Sequence, residues 1–302
     1  MLEILIHIAV LLLIPPLLPG VIAKTKAWFA GRSGPPLLQP YYDIAKCLRR
    51  GWVCSKTTTW IFWAGPVVAL STTLLAGLMV PLGRASAPIA FTGDLVLFAY
   101  LFGLARFFTT SAALDTGSAF EGMGAVREVT LACFSEPALF FALMVLAKIS
   151  GTLSLTPMLH APATAFSVGI AAPLTLILIG LFIVLLAVTC RIPVDDPNTH
   201  LELTMIHEAM VLDHSGPLFG LILYAAAMKM LVLGMVVLHV LVPFLPGREL
   251  WRGPLFLTLL LALAVGIGVV ESVMARLKMR HVPYLLVGAM LSCGFGFILL
   301  IR

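Results

Sequence analysis

Acidic and histidine side chains are concentrated in residues 191–216, a short stretch between two long apolar segments. Carboxylates that lie close together repel one another when ionised, which raises the pKa of some of them and makes them suitable proton carriers. The stretch therefore predicts the mouth of an ion pathway, although the same composition also suits an ordinary solvated loop. Its acidic and histidine residues are Asp195, Asp196, His200, Glu202, His207, Glu208, Asp213 and His214.

Metal binding is a second possible chemistry for this stretch, because histidine and carboxylate side chains are metal ligands. His200 and His207 are seven residues apart, and Glu208 follows His207 on a different face of any helix. The compact H-E-x-x-H spacing does not occur. Neither this stretch nor the five isolated cysteines predict a metal site in the chain.

Three further ionisable side chains, Glu136, Arg106 and Lys229, interrupt apolar segments. An ion is costly in hydrocarbon, so such residues usually face the inside of a helix bundle or a water-filled cavity. The proline directly after Glu136 weakens the helix and can free a carbonyl oxygen for water or a side chain. For these three residues the pattern favours a function. Lys148 and Glu271, near the ends of their segments, are predicted to snorkel or to form structural ion pairs.

Residues 31–50 combine a tight turn with a short amphipathic helix. A Gly-Pro pair predicts the turn, Pro40 opens the helix, Asp43 lies in its first turn, and cations lie at its end, an order that suits the helix macrodipole. One face of this helix is apolar, with Ile44, Cys47 and Leu48. The helix is predicted to lie at the membrane interface or beneath a partner, and the two alternatives stay open.

The elements that must position these residues are transmembrane helices. Of the 302 residues, 61% are hydrophobic and 11% are charged, whereas soluble domains are about 45–50% apolar and about 25% charged. The apolar blocks have the length of about 20 residues that crosses a hydrocarbon layer. We predict an all-α integral membrane protein, a single domain over residues 1–302 and a bundle of about eight transmembrane helices. The predicted spans are residues 2–22, 59–82, 93–113, 129–150, 169–190, 217–243, 254–275 and 282–301.

The lysines and arginines predict the orientation of this bundle. Twelve of the 19 follow spans one, three, five and seven, four lie on the opposite side, and three lie within spans. Because positive residues accumulate on the cytoplasmic side, both termini are expected outside. The net charge of +5 then reflects orientation, and no nucleic-acid partner is expected. The predicted cytoplasmic loops are residues 23–58, 114–128, 191–216 and 276–281.

The first apolar segment has some features of a secretory signal. However, it lacks a preceding basic region, since Lys24 and Lys26 follow it, and it shows no small-x-small cleavage site. We predict that it is retained as the first helix. A cleaved signal is the alternative.

In three patches the chain resembles the family of complex I subunit 1, the membrane subunit at the junction with the peripheral arm. The likeness is greatest to the counterpart in energy-converting hydrogenases and formate hydrogenlyases. After the first helix, the matching residues are Gly31, Arg32, Gly34, Pro35, Gln39, Asp43 and Lys46. An arginine followed nine residues later by an intramembrane glutamate is matched by Arg127 and Glu136. The next loop matches at Pro193, Asp195, Glu202, Leu203, Asp213, Ser215 and Gly216.

The sequence also departs from the family pattern. Val194 replaces a phenylalanine, and Asp213-His214 stands where Glu-Tyr is common. The last predicted cytoplasmic loop, around residues 275–283, is basic but lacks the Pro-Arg-x-Arg-x-Asp signature of quinone-reducing members. These departures favour a hydrogenase-type complex over a quinone-reducing one.

The resemblance implies a subunit without a redox cofactor of its own, in a bacterial or archaeal cytoplasmic membrane. It would anchor an arm with a [NiFe]-hydrogenase-like large subunit and an iron–sulfur small subunit, beside antiporter-like membrane subunits that move protons or sodium ions. The expected arm-docking residues are Arg32, Gln39, Asp43 and Lys46. The expected ion-pathway residues are Asp195, Glu202, Glu208, Asp213 and Glu136, with Arg106, Arg127 and Lys229 beside them.

Two other functions remain open at this stage. One is the quinone-site subunit of an NADH:quinone oxidoreductase. The other is a stand-alone secondary transporter, which usually has inverted repeats and paired broken helices, and neither is evident in the sequence. The subunits that co-purify with the chain would separate the three functions.

Overall fold

The computed structural model describes residues 2–164, 166–195, 206–245 and 253–301. Within these ranges the regular structure consists of helices, and no strand occurs. Three short 3-10 helices cover Glu208–Val211, Val242–Phe244 and Met279–His281. The α-helices are α1 (Leu2–Leu13), α2 (Leu17–Phe29), α3 (Gln39–Arg49), α4 (Trp60–Met79), α5 (Asp94–Asp115), α6 (Ala119–Ser150), α7 (Leu155–Thr164), α8 (Val168–Val188), α9 (Gly216–Leu241), α10 (Gly253–Val273) and α11 (Val282–Ile301).

The number of membrane spans agrees with the prediction. Among the described residues, seven helical segments are each long and apolar enough to cross a membrane, and α1 and α2 together supply an eighth, bent span. The all-α bundle of about eight transmembrane helices is thus confirmed.

The first predicted span, residues 2–22, consists of two helices instead of the one that was predicted. The chain bends by 49° between α1 and α2, because Pro15 and Pro16 have no N–H to continue the helical hydrogen bonds. Two tyrosine hydroxyls donate to carbonyl oxygens beside this bend: Tyr224 of α9 to Leu12, at 2.7 Å, and Tyr41 of α3 to Leu13. The bend therefore ties the first span to α3 and α9.

Helix α6 begins ten residues before the predicted fourth span. Its 32 residues make it about 48 Å long, longer than the hydrocarbon layer of about 30 Å. The predicted loop 114–128 is consequently mostly helical, and only residues 116–118 separate α5 from α6. As a result Glu121 and Glu128 occupy a continuous helical face instead of a loop.

Helix α9 forms the centre of the bundle. It packs against α3, α4, α7, α8 and α10, and its apolar residues are buried on nearly every side. Pro217 lies in its first turn and Pro243 just beyond its end, as predicted from the sequence. A charged residue on this helix, such as Lys229, must therefore point into the protein.

The predicted short helix after the first span is present as α3, with a proline in its first turn. It packs on α9 where Gly220 approaches Cys47 and Leu48: a Cβ at Gly220 would come within 3.2 Å of the Cys47 Cβ. None of its residues is fully buried. Helix α3 thus covers one end of the bundle. This end carries the basic loops and is called the basic face.

Candidate functional site

A cavity of about 210 Å³, the basic-face cavity, lies beneath α3 and beside the bend of the first span. Its polar lining comes from three separate parts of the chain: Asp43 of α3, Arg191 and Asp195 after α8, and His207 and Glu208 before α9. The predicted docking residue Asp43 thus faces the same space as two predicted ion-pathway residues.

Asp195 is held firmly at the edge of this cavity. One of its carboxylate oxygens accepts from the Arg276 guanidinium at 2.8 Å, and the other accepts from the Ile206 backbone N–H at 3.0 Å. The side chain is 3% exposed. Asp195 thus joins chain segments around the cavity, and its role in an ion pathway stays a prediction.

A smaller cavity of about 40 Å³, the central cavity, lies deeper between α4, α5, α6 and α9. Its ionisable lining residues are Arg106, Glu128, Lys229, His207 and His214. The Arg106 Nε lies 3.3 Å from a Glu128 carboxylate oxygen. This volume has room for a small number of water molecules among several polar partners.

His207 lines both the basic-face cavity and the central cavity. Burial, followed by the nearby positive charge of Lys229, lowers the pKa of His207 from 6.5 to about 4. At neutral pH the ring is therefore uncharged, with one nitrogen that donates and one that accepts. Such a ring can relay a proton between two spaces without holding a charge in either.

A third cavity of about 210 Å³, the lateral cavity, lies between α5 and α6. Arg106 also lines it, and its guanidinium forms a close ion pair with Glu136. The Glu136 side chain is 45% exposed, and Tyr100 in the same wall is 69% exposed. The lateral cavity therefore reaches the outer surface of this chain, and Arg106 connects it to the central cavity.

Some of the predicted pathway residues lie elsewhere. Asp213 is exposed and lines none of the three cavities, and its backbone N–H donates to Glu121 at 2.8 Å. Arg127 is nine residues before Glu136 on α6, so at 100° per residue it faces the opposite side of the helix, and Arg106 is the ion-pair partner of Glu136 instead. Glu202 lies outside the described residues.

Glu128 is the functional candidate that sequence reasoning missed, because it was assigned to a loop. The spacing along the chain could have identified it. Glu121, Glu128 and Ser135 follow one another at intervals of seven residues, which places all three on one face of a helix. Glu121 is fully buried at the start of this face. The described structure shows that the face points into the bundle.

The embedded Glu271 forms a structural ion pair, as predicted. Its carboxylate lies 2.9 Å from Lys26 of α2 and 3.6 Å from Arg191, and its side chain is fully buried. Glu271 thus joins α10 to α2 and to the segment after α8, away from the central and lateral cavities.

The remaining predicted docking residues lie at the basic face. Arg32 and Lys46 are exposed, and Gln39 donates to the Asp43 carboxylate at 2.9 Å. Arg32 and Lys46 are consequently the two predicted docking residues whose charges are presented outwards.

Comparison with known proteins gives consistent matches over the full chain. The family described as NADH dehydrogenase matches residues 2–302. Formate hydrogenlyase subunit 4 of Escherichia coli (strain K12) is 31% identical over 303 aligned positions, covering 97% of this chain and 94% of the relative. Hydrogenase-4 component C of the same organism is 31% identical over 285 positions, covering 91% and 89%.

Among solved structures, a chain of the membrane-bound sulfane sulfur reductase (MBS), an archaeal respiratory membrane complex, is similar with a TM-score of 0.81. The match covers 99% of this chain and 98% of that chain at 24% identity, which shows a shared fold. Together with the whole-length family match, these likenesses confirm the relationship expected from the three sequence motifs. This chain is a multi-pass membrane protein of the NADH dehydrogenase family, related to complex I subunit 1.

Proposed function

We propose that this chain is the membrane subunit of a hydrogenase- or formate-hydrogenlyase-type complex in a bacterial or archaeal cytoplasmic membrane. In this role it anchors a redox arm at the basic face and couples electron transfer in the arm to movement of protons or sodium ions. The proposal is supported by the 31% identity to formate hydrogenlyase subunit 4 and to hydrogenase-4 component C. The redox centres, a [NiFe] centre and iron–sulfur clusters, would belong to partner subunits.

The main support for the proposal is that shared side chains connect the three cavities. His207 belongs to the basic-face and central cavities, and Arg106 belongs to the central and lateral cavities. A line of ionisable groups thus crosses from the basic face to the side of an otherwise apolar bundle. Ionisable groups in such positions are typical of ion or proton pathways.

Arg106 gives this line a means of transmitting charge. Its guanidinium contacts Glu128 on one side and Glu136 on the other, so the two carboxylates share this cation, and Lys229 adds a second positive charge near Glu128. Because charges interact strongly in a region of low dielectric constant, a change of charge in the central cavity acts on Glu136 through Arg106.

The two ends of the line suggest where the partners bind. The exposed cations Arg32 and Lys46 are suited to an arm subunit above the basic face. The half-exposed Glu136 and the lateral cavity are suited to an antiporter-like membrane subunit beside α5 and α6. In this arrangement the chain transmits charge between arm and membrane partner and carries out no redox step itself.

The pathway is tested with Glu136→Gln and Glu128→Gln in the assembled complex, measuring ion translocation into membrane vesicles alongside redox turnover of the arm. Both variants are expected to abolish translocation while the arm continues to turn over. The matched control is Glu3→Gln, the same change at an exposed carboxylate of α1. Normal translocation by Glu136→Gln would remove this residue from the pathway.

The type of complex is tested by purification in mild detergent. Co-purifying nickel and iron with hydrogen evolution would support the hydrogenase-type complex. Quinone-dependent oxidoreductase activity would instead identify a quinone-reducing complex, and a chain that purifies alone would identify a transporter.

A further inference from the structure

A fourth space, of about 540 Å³, is separate from the pathway and lies as an open groove between α2 and α10 at the basic face. Its lining has two parts. The charged and polar side chains are called the upper wall, and the aromatic and aliphatic ones are called the lower wall. The residues that matter for the argument are Lys24, Arg32, Trp28, Phe29, Val265 and Val269.

The upper wall is held in place by the turn that follows α2. The Arg32 backbone N–H donates to the Ala27 carbonyl at 2.9 Å, which folds the turn back onto the helix. The Lys24 ammonium donates to the Ser33 carbonyl at 2.6 Å. An ammonium group has three N–H donors, so two of them remain for a ligand in the groove.

The groove has an unbalanced positive charge. Lys24 and Arg32 are its charged lining residues, and neither forms an ion pair with a carboxylate in the part of the chain that the structure describes. Lys26, two residues away on α2, differs in being paired with Glu271. The groove is therefore suited to an anion.

The lower wall is apolar and accessible. Trp28 is 75% exposed, Phe29 is 48% exposed and Val265 is 41% exposed. Beside these residues α2 and α10 are in close contact, since a Cβ at Gly268 would lie 2.8 Å from the Thr25 Cβ. Aromatic side chains at the end of a membrane span are typical of the boundary between hydrocarbon and head groups.

We propose that this groove binds an anionic phospholipid. The phosphodiester accepts hydrogen bonds from Lys24 and Arg32, whose ammonium and guanidinium groups recognise phosphate oxygens, and an acyl chain lies along Val265 and Val269. Basic pockets between transmembrane helices on the positively charged side are typical sites for such head groups. The volume lies within the usual range of ligand pockets, about 300–1,000 Å³.

The bound lipid joins two helices at the edge of the bundle. Helix α10 packs against α2 and α9, and much of its remaining surface is exposed. A ligand that binds only the folded arrangement stabilises it by mass action. The lipid therefore strengthens the contact between α2 and α10, and removal of lipid by detergent weakens it.

The test is native mass spectrometry of the chain purified in mild detergent with its accompanying subunits, after addition of phosphatidylglycerol or phosphatidylcholine. The wild type is expected to retain phosphatidylglycerol in preference to phosphatidylcholine. The double variant Lys24→Ala/Arg32→Ala is expected to retain it about 30-fold less, since two cations near the membrane surface contribute about 1 kcal/mol each. The matched control, Lys278→Ala/Arg280→Ala, removes two exposed cations of the same face and is expected to behave as the wild type.

A second variant, Val265→Trp, fills the apolar part of the groove and leaves both cations in place. It is expected to reduce lipid retention without loss of accompanying subunits, which separates lipid binding from any docking role of Arg32. Equal retention of the two lipids by the wild type would overturn the proposal. So would full retention of phosphatidylglycerol by the double variant or by Val265→Trp.

Discussion

Glu271 and Glu136 are both carboxylates in apolar helices, but their surroundings differ. Glu271 is fully buried between two cations, Lys26 and Arg191. Glu136 is half-exposed beside a cavity, and its cation Arg106 is shared with a second carboxylate. Glu271 has two cations to itself and joins helices together. Glu136 shares its cation and faces a cavity, as is typical of ionisable groups in an ion pathway.

The largest expected difference is in stability after the same substitution at both sites. Glu271→Gln leaves Lys26 and Arg191 without their carboxylate, and breaking a buried ion pair costs about 3–5 kcal/mol of unfolding free energy. Glu136→Gln should cost less, because Arg106 keeps its contact with Glu128. Thermal unfolding of both variants in detergent measures the difference. Equal stability of the two variants would contradict the division into structural and functional carboxylates.

A second test concerns the charge of His207 between the basic-face and central cavities. The pKa of His207 is lowered to about 4 by burial, so the unfolded chain binds a proton near pH 6.5 that the folded chain does not. The contribution of neutral His207 to the free energy of unfolding is therefore complete above pH 6.5 and is lost as the pH falls towards 4. This loss is up to about 3 kcal/mol, and His207→Gln should remove this part of the acid sensitivity.

The measurement is thermal unfolding at several pH values between 7 and 4. The exposed His281 provides the control, since His281→Gln should keep the acid sensitivity of the wild type. If His207→Gln is as acid-sensitive as the wild type, His207 is not the neutral relay between the cavities.

The smallest expected effect comes from the bend that directs Lys26 of α2 towards Glu271. Tyr224→Phe removes one hydrogen bond to the Leu12 carbonyl at 2.7 Å, which should cost about 1 kcal/mol. Tyr100→Phe, at a tyrosine that is 69% exposed, is the control and should cost nothing measurable. An effect of Tyr224→Phe no larger than that of Tyr100→Phe would show that this hydrogen bond does not stabilise the bend.

Parts of this result could be read directly from the residues. The eight apolar blocks, the α3 helix opened by Pro40 and the structural role of Glu271 were all predictable from local composition and spacing. Pro15 and Pro16, where the chain bends, were also visible in the sequence, but the run of apolar residues around them was predicted to form one helix. Glu128 was missed because the start of α6 was placed too late, which turned a helical face into a loop.

Other features could not be predicted in this way. Arg106 and Glu136 are 30 residues apart on different helices, and nothing in their spacing predicts that they meet. Similarly, Asp195 and Asp213 belong to one acidic stretch, yet Asp195 is buried against Arg276 while Asp213 is exposed. The direction of each side chain follows from how the helices rotate against one another.

By itself, the sequence determined that this protein is a helical membrane bundle with ionisable groups where lipid would exclude them, because hydrophobicity and helix length are local properties. Only the tertiary structure decided which of those groups meet around His207 and Arg106. Their meeting depends on the crossing and rotation of α5, α6 and α9, which arise from packing between residues far apart in the chain.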